Sequence, residues 1–148
     1  MIRPVLLAVG LVCLAGLSTT AAPGVKDKAK DSDLKKLEGD WAIESWVQFG
    51  QTVPLEATWS FKGDKYTLDQ GTNVEEGGLK IDQEKKPPTL DLNITGGRCK
   101  GNDQVGIYKI DGDTLTLCLA WPGMTDRPTE FASTAENRTI LITLKRKK

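Results

Sequence analysis

From Trp41 to Arg146 the chain is a succession of short runs in which apolar and polar residues alternate, each broken by Gly, Asp or Pro. A period of two over four to eight residues is the signature of a half-buried β-strand. The clearest case is Gly106 to Ala120, where two aliphatic and β-branched runs flank Asp111-Gly112. An Asp-Gly pair between such runs is a strong hairpin signal. A two-residue loop there pairs Ile110 with Asp113, Tyr108 with Leu115 and Gly106 with Leu117. It gathers Tyr108, Ile110, Leu115, Leu117 and Leu119 on one face. Slipping by one residue would set Tyr108 and Ile110 against Thr114 and Thr116, so the pattern selects the first register.

The same reading extends along the chain. A turn centred on Gly63-Asp64 aligns Phe61 with Tyr66 and Trp59 with Leu68. Glu75-Glu76-Gly77-Gly78 precedes Leu79-Lys80-Ile81, and its glycines predict a bulge or bend. Pro87-Pro88 separates that strand from Leu90-Asp91-Leu92-Asn93-Ile94. In the first strand, alternation puts Trp41, Ile43 and Val47 on one side with Ser45 between them. The last strand, Thr139 to Arg146, aligns Ile140, Ile142, Leu144 and Arg146. Together these runs predict an all-β, antiparallel up-and-down meander of about eight strands. Closure into a barrel removes its exposed edges, and an open sandwich is the alternative.

The predicted inward set is Trp41, Trp59, Phe61, Tyr66, Leu68, Leu79, Ile81, Leu90, Leu92, Ile94, Tyr108, Ile110, Leu115, Leu117, Ile140, Ile142 and Leu144. A calyx for an apolar ligand would look like this, and so would a barrel filled by its own side chains, the filled core being slightly favoured. The set contains no inward polar cluster to orient a ligand.

The N-terminus has another character. A basic start at Arg3, an apolar run to Leu17 and a small-residue exit through Ala21-Ala22 predict a secretory signal peptide over residues 1–21. The run falls short of the ~20 residues that a membrane-spanning helix needs, so an uncleaved anchor is the lesser alternative. Val12 before Cys13 disfavours a lipoprotein signal. Residues 22–32 are small and charged, as in a flexible linker. The domain is expected over 33–148. It opens with a short helix capped by Ser32, with Leu34 and Leu37 on one face and Gly39 at its end.

Composition mainly excludes. The chain has 148 residues, no net charge and no histidine. The absence of histidine removes Ser-His and Cys-His catalysis and histidine metal sites. Balanced charge without a basic stripe argues against a nucleic-acid partner. No cofactor or metal site is expected. Asp111-Gly112-Asp113 is turn chemistry, and no calcium-loop spacing surrounds it. Glu75 and Glu76 complete the carboxylates that invite a glycosidase or calcium reading. The sequons at Asn93 and Asn137 are short enough to arise by chance. With Cys118 opposite Val105, Cys99 lies about 20 Å away if the intervening chain is extended. A Cys99–Cys118 disulfide is therefore not expected.

A helical turn followed by Gly39-Asp40-Trp41 resembles the lipocalin entry motif. There a tryptophan closes the base of the barrel and a basic residue of the last strand packs over it. The resemblance assigns barrel closure to Trp41 and Arg146, as a cation–π pair. Arg146 would face carbonyls of neighbouring strands. More widely, Leu37 to Trp41, Phe61 to Tyr66, Lys85 to Leu92, Gly106 to Leu119, Arg127 to Ser133 and Leu144 to Arg146 resemble one family. It comprises short exported lipocalin-like domains, abundant in planctomycete bacteria and without established function. The resemblance implies no catalytic residues. It implies an exported protein of the periplasm, cell envelope or exterior, and the family usually lacks a cysteine at position 99.

The leading functional expectation is a non-enzymatic binding module for a small apolar ligand. Trp121, Arg127 and Glu130 in the longest loop, with Tyr108, are its candidate ligand-binding residues. For Arg127 the plainer reading is a carboxylate contact that pins the loop. The alternatives are a protein-interaction or envelope module with a filled core and, less favoured, a histidine-free enzyme.

Overall fold

The computed structural model describes residues 33–148. The expected signal peptide (1–21), the linker (22–32), Cys13 and the Ser32 cap lie outside them. Residues 33–37 form a short helix, and nine strands follow: β1 (Gly39–Gln48), β2 (Gln51–Thr52), β3 (Thr58–Lys62), β4 (Lys65–Asp69), β5 (Val74–Asp82), β6 (Thr89–Gly96), β7 (Asp103–Asp111), β8 (Thr114–Ala120) and β9 (Thr139–Arg146). Each of the long strands pairs antiparallel with the next, and β9 returns to pair with β1. The result is a closed eight-stranded antiparallel barrel, with the two-residue β2 as a flap on β1.

Closure depends on where each hairpin turns. The β3–β4 hairpin has the expected register, Phe61 opposite Tyr66 and Trp59 opposite Leu68. The β7–β8 hairpin does not. Asp111 pairs with Thr114, Tyr108 with Leu117 and Gly106 with Leu119, so the turn is Gly112-Asp113 rather than Asp111-Gly112. Gly112 has φ +59° and Asp113 lies outside the positive-φ region. One positive φ, at the first central residue, is the demand of a type II′ turn, whereas the expected type I′ needs two. Gly63-Asp64 repeats the pattern with φ +58° at Gly63. The shift spans two positions, so every side chain keeps its face. Cys118 accordingly lies opposite Ile107, not Val105.

A second difference changes faces. Pairing of β1 with β9 shifts between Ile43 and Ser45, an extra residue that bends the strand where the barrel curves. Trp46 and Gln48 then stand opposite the inward Ile142 and Ile140. Trp46 packs on the core, whereas the alternation had placed Val47 there. The β5–β6 pairing also shifts, between Glu76 and Gly77, but the extra residue is Thr95 of β6 rather than one in β5, where the glycines had predicted it.

The core contains nearly all of the predicted inward set, with Leu37 of the helix and Leu119 added and Ile110 only half-buried. Trp41, Trp59, Leu90, Leu92, Tyr108, Leu115, Leu117, Ile142 and Leu144 are essentially sealed from solvent. Burying each such side chain stabilises by about 1.5–3 kcal/mol.

The helix plugs the end where β1 begins. Trp41 Nε1 donates to the Leu37 carbonyl (2.7 Å), and the Arg146 guanidinium lies 4.3 Å from the Trp41 ring centroid. Arg146 donates to the carbonyls of Lys36 and Glu38 and pairs with Asp113 at 3.4 Å. Its carbonyl partners thus come from the helix end, not from neighbouring strands. Those carbonyls have no intrahelical donor left, and a cation suits a helix C-terminus. Gly39, at φ +117°, turns the chain from helix to strand. A Cβ there would sit 3.3 Å from Arg146 Nη1, which explains the Gly-x-Trp spacing.

Candidate functional site

Antiparallel order brings the 49–57, 70–73, 97–102 and 121–138 connections to the end opposite the helix. A pocket of about 280 Å³ opens there. Its walls come from Trp46 and Gln48 of β1, Trp59 of β3, Glu75 of β5, Gln104 of β7 and Trp121 beyond β8. Below it, aromatic rings fill the barrel. Trp59 stacks on Phe61 with centroids 5.9 Å apart and tilts against Tyr66 at 6.0 Å. Among the described residues, side chains fill the barrel toward its closed end and the pocket opens at its mouth.

The inward polar cluster absent from the sequence pattern is therefore present. Glu75 is 9% exposed and accepts a hydrogen bond from the Tyr66 hydroxyl at 2.9 Å. Burial raises the Glu75 pKa above the ordinary carboxylate value, and the Tyr66 bond opposes that shift. Burial raises the Tyr66 pKa too, reinforced by the Glu75 charge. Gln104 is buried and donates to the Ala120 carbonyl at 2.8 Å. Trp46 Nε1 donates to Gln48 Oε1 at 3.2 Å. Trp59 is 1% exposed, and its Nε1 has no hydrogen-bond partner. An unmade bond at a buried donor costs about 1–3 kcal/mol. Continuing the alternation of Leu79 and Ile81 back to Glu75, and of Tyr108 and Gly106 back to Gln104, would have found both residues.

The rim is apolar. Among the described residues, Phe49, Val53, Val74 and Trp121 are the exposed large hydrophobic ones, and all four lie on the mouth connections or at strand ends beside them. Phe49 packs on Trp121 with ring centroids 5.4 Å apart. Phe49-Gly50 is the two-residue turn between Gln48 and Gln51, with φ +52° and +77°. A left-handed phenylalanine in a turn that favours Asn-Gly is strained, and such strain collects at functional sites.

The expected site residues scatter. Trp121 lines the mouth. Tyr108 points its hydroxyl the other way, donating to Asp33 of the helix at 2.7 Å, because its strand runs from mouth to plug. Arg127 is outside the barrel. It pairs with Asp91 at 2.6 Å and donates to the Gly106 carbonyl at 2.9 Å, pinning the 121–138 segment to β6 and β7. Glu130 is exposed on that same outer strap, away from the mouth. Beneath the strap, the Cys118 thiol donates to the Ala132 carbonyl, and Lys109 lies over Phe131. Cys99 is a free thiol in the mouth lining, its pKa raised by burial and by Glu75.

A wider groove of about 480 Å³ crosses the outer wall between β4 and β7. Charged residues such as Asp64, Lys80, Asp91 and Asp103 border it, and no aromatic ring does. Among the described residues no group of three or more acidic or cysteine side chains converges to hold a metal, and no helix is long and apolar enough to cross a membrane. Comparison with protein-family models, curated proteins and solved structures returned no significant match.

Proposed function

We propose that this barrel is an exported, non-enzymatic binding module that holds one small molecule at its open end. The observation that carries the reading is an open pocket lined by three tryptophans and the buried Glu75 carboxylate, with the unpartnered Trp59 Nε1 beside it. An apolar rim over a few polar groups is the usual composition of a small-molecule site. The guest is amphipathic rather than purely apolar, with its body against Phe49, Trp121 and Ile140 and a polar group toward Trp59 and Glu75. The volume limits it to a compact molecule, since long acyl chains would need the filled half of the barrel.

Binding is favoured over catalysis by the chemistry of the lining. Tyr66 and Cys99 both hold their protons more tightly than usual, and Glu75 has Tyr66 as its bonding partner. A reaction would need an activated nucleophile or an acid–base pair, and neither Tyr66 nor Cys99 is disposed to ionise.

The test is titration with a fluorescent N-phenylnaphthylamine probe. Saturable one-to-one binding is expected, weakened about tenfold, or some 1.4 kcal/mol, when Phe49 and Trp121 are both changed to alanine. No saturable binding, or binding indifferent to that double change, would overturn the assignment to the mouth.

A further inference from the structure

We infer that the guest of the mouth pocket is a small organic cation, an ammonium group of trimethylammonium or primary-amine size, held between tryptophan rings and the Glu75 carboxylate. This rests on the reading of the mouth as a ligand site and adds the chemical class.

Three of the four tryptophans in the chain, Trp46, Trp59 and Trp121, line this one pocket. The indole ring is the best cation–π surface among the side chains. The fourth, Trp41, already carries a cation, since the Arg146 guanidinium sits 4.3 Å from its centroid. The closed end therefore supplies its own positive charge to its tryptophan. Within the mouth lining the one positive group is Arg98, on an exposed turn where water and salt screen it.

The negative side of the pair is Glu75, the one buried acidic residue among those described. A buried carboxylate is costly unless a cation or several hydrogen bonds compensate it. Tyr66 supplies one bond, to Oε1. An ammonium guest would supply the missing charge and would gain more from Glu75 than from an exposed carboxylate, because the surrounding medium is less polar. Trp59 Nε1 remains as a donor for an oxygen atom on the same guest. Choline, with its trimethylammonium head and hydroxyl, is a fitting probe of this chemistry, and 3,3-dimethylbutan-1-ol is its neutral isostere.

The experiment is calorimetric titration of the full chain with both probes. Choline is expected to bind at least about tenfold more tightly than the neutral alcohol. Glu75→Gln should remove that preference, weakening choline far more than the alcohol. Trp121→Leu, at the exposed rim and harmless to folding, should also weaken choline more than the alcohol. Equal affinity for the two probes would overturn the cation assignment and leave the mouth as a neutral site. The same holds if neither binds while the naphthylamine probe does. Failure of all three ligands would remove the mouth reading as well.

Discussion

Both ends of this barrel are built from the same parts, a tryptophan and a tyrosine that donates to a carboxylate, and they use them oppositely. At the closed end Trp41 bonds to the Leu37 carbonyl, Arg146 covers its face and Tyr108 donates to Asp33. Trp41, Arg146 and Tyr108 all have internal partners there, although Gln83 Oε1, on the 83–88 connection at the same end, has none. At the open end Tyr66 donates to Glu75, but Trp59 Nε1 is unpartnered and Phe49 is strained. Completed bonding is what a structural plug requires, and incomplete bonding around a cavity is what a binding site requires.

The comparison breaks most sharply under truncation of the plug. Trp41→Ala removes a fully buried ring and should cost about 3–5 kcal/mol. Trp121→Ala, 40% exposed at the rim, should stay within about 0.5 kcal/mol of the parent. Denaturant melts of the two variants measure the contrast, and comparable losses would erase it.

Next in size is Arg146→Ala, expected to cost about 1–2 kcal/mol from the cation–π contact and the carbonyl bonds. It should leave probe affinity at the mouth unchanged. A coupled loss of stability and affinity would mean that the two ends are not independent.

Phe49→Asn sharpens the comparison in the other direction. Asparagine accepts positive φ, so the turn should relax and the melt should rise by up to about 1 kcal/mol. Probe binding should weaken, because the Trp121 stacking partner is gone. A gain in stability with full retention of binding would leave the strain without a function.

The smallest effect is a pH dependence shared by both ends. Tyr66 and Tyr108 have pKa values raised above their ordinary 10.0. Above pH 10 the unfolded chain releases these protons first and the native state retains them. Their contribution, full below pH 10, should therefore fall as pH rises further. At the mouth, Glu75 works in the acidic range with the same sign. Its raised pKa makes the unliganded protein lose stability as pH rises from about 4.5 through the folded value. Glu75→Gln should flatten that acidic slope in pH-dependent melts and leave the alkaline one.

The fold was legible because alternation and glycine-marked turns are local signals. Phe61 opposite Tyr66 follows from Gly63-Asp64 alone. Asp111-Gly112-Asp113 offers two overlapping turns, and the winner depends on a backbone angle that composition does not state. The bulge after Ile43 carries no glycine or proline, since pairing with β9 imposes it, and so Trp46 was assigned to the wrong face. The site was less legible for a related reason. Arg127 and Glu130 stood out as charged residues in a long loop, but that loop lies against the outer wall. Glu75 stands out in sequence only as one of several carboxylates, beside two glycines, and Gln104 does not stand out at all. Only the barrel brings β1, β3, β5 and β7 to one mouth.

The account turns on one mouth that answers a guest while the plug stays silent. Nitrogen-15 labelling of the tryptophans gives one indole N–H resonance for each of the four. Titration with choline should move the Trp46, Trp59 and Trp121 resonances, with Trp59 shifting most as its N–H gains an acceptor, and leave Trp41 in place. Four unmoved resonances, or a Trp41 shift as large as that of Trp59, would contradict it.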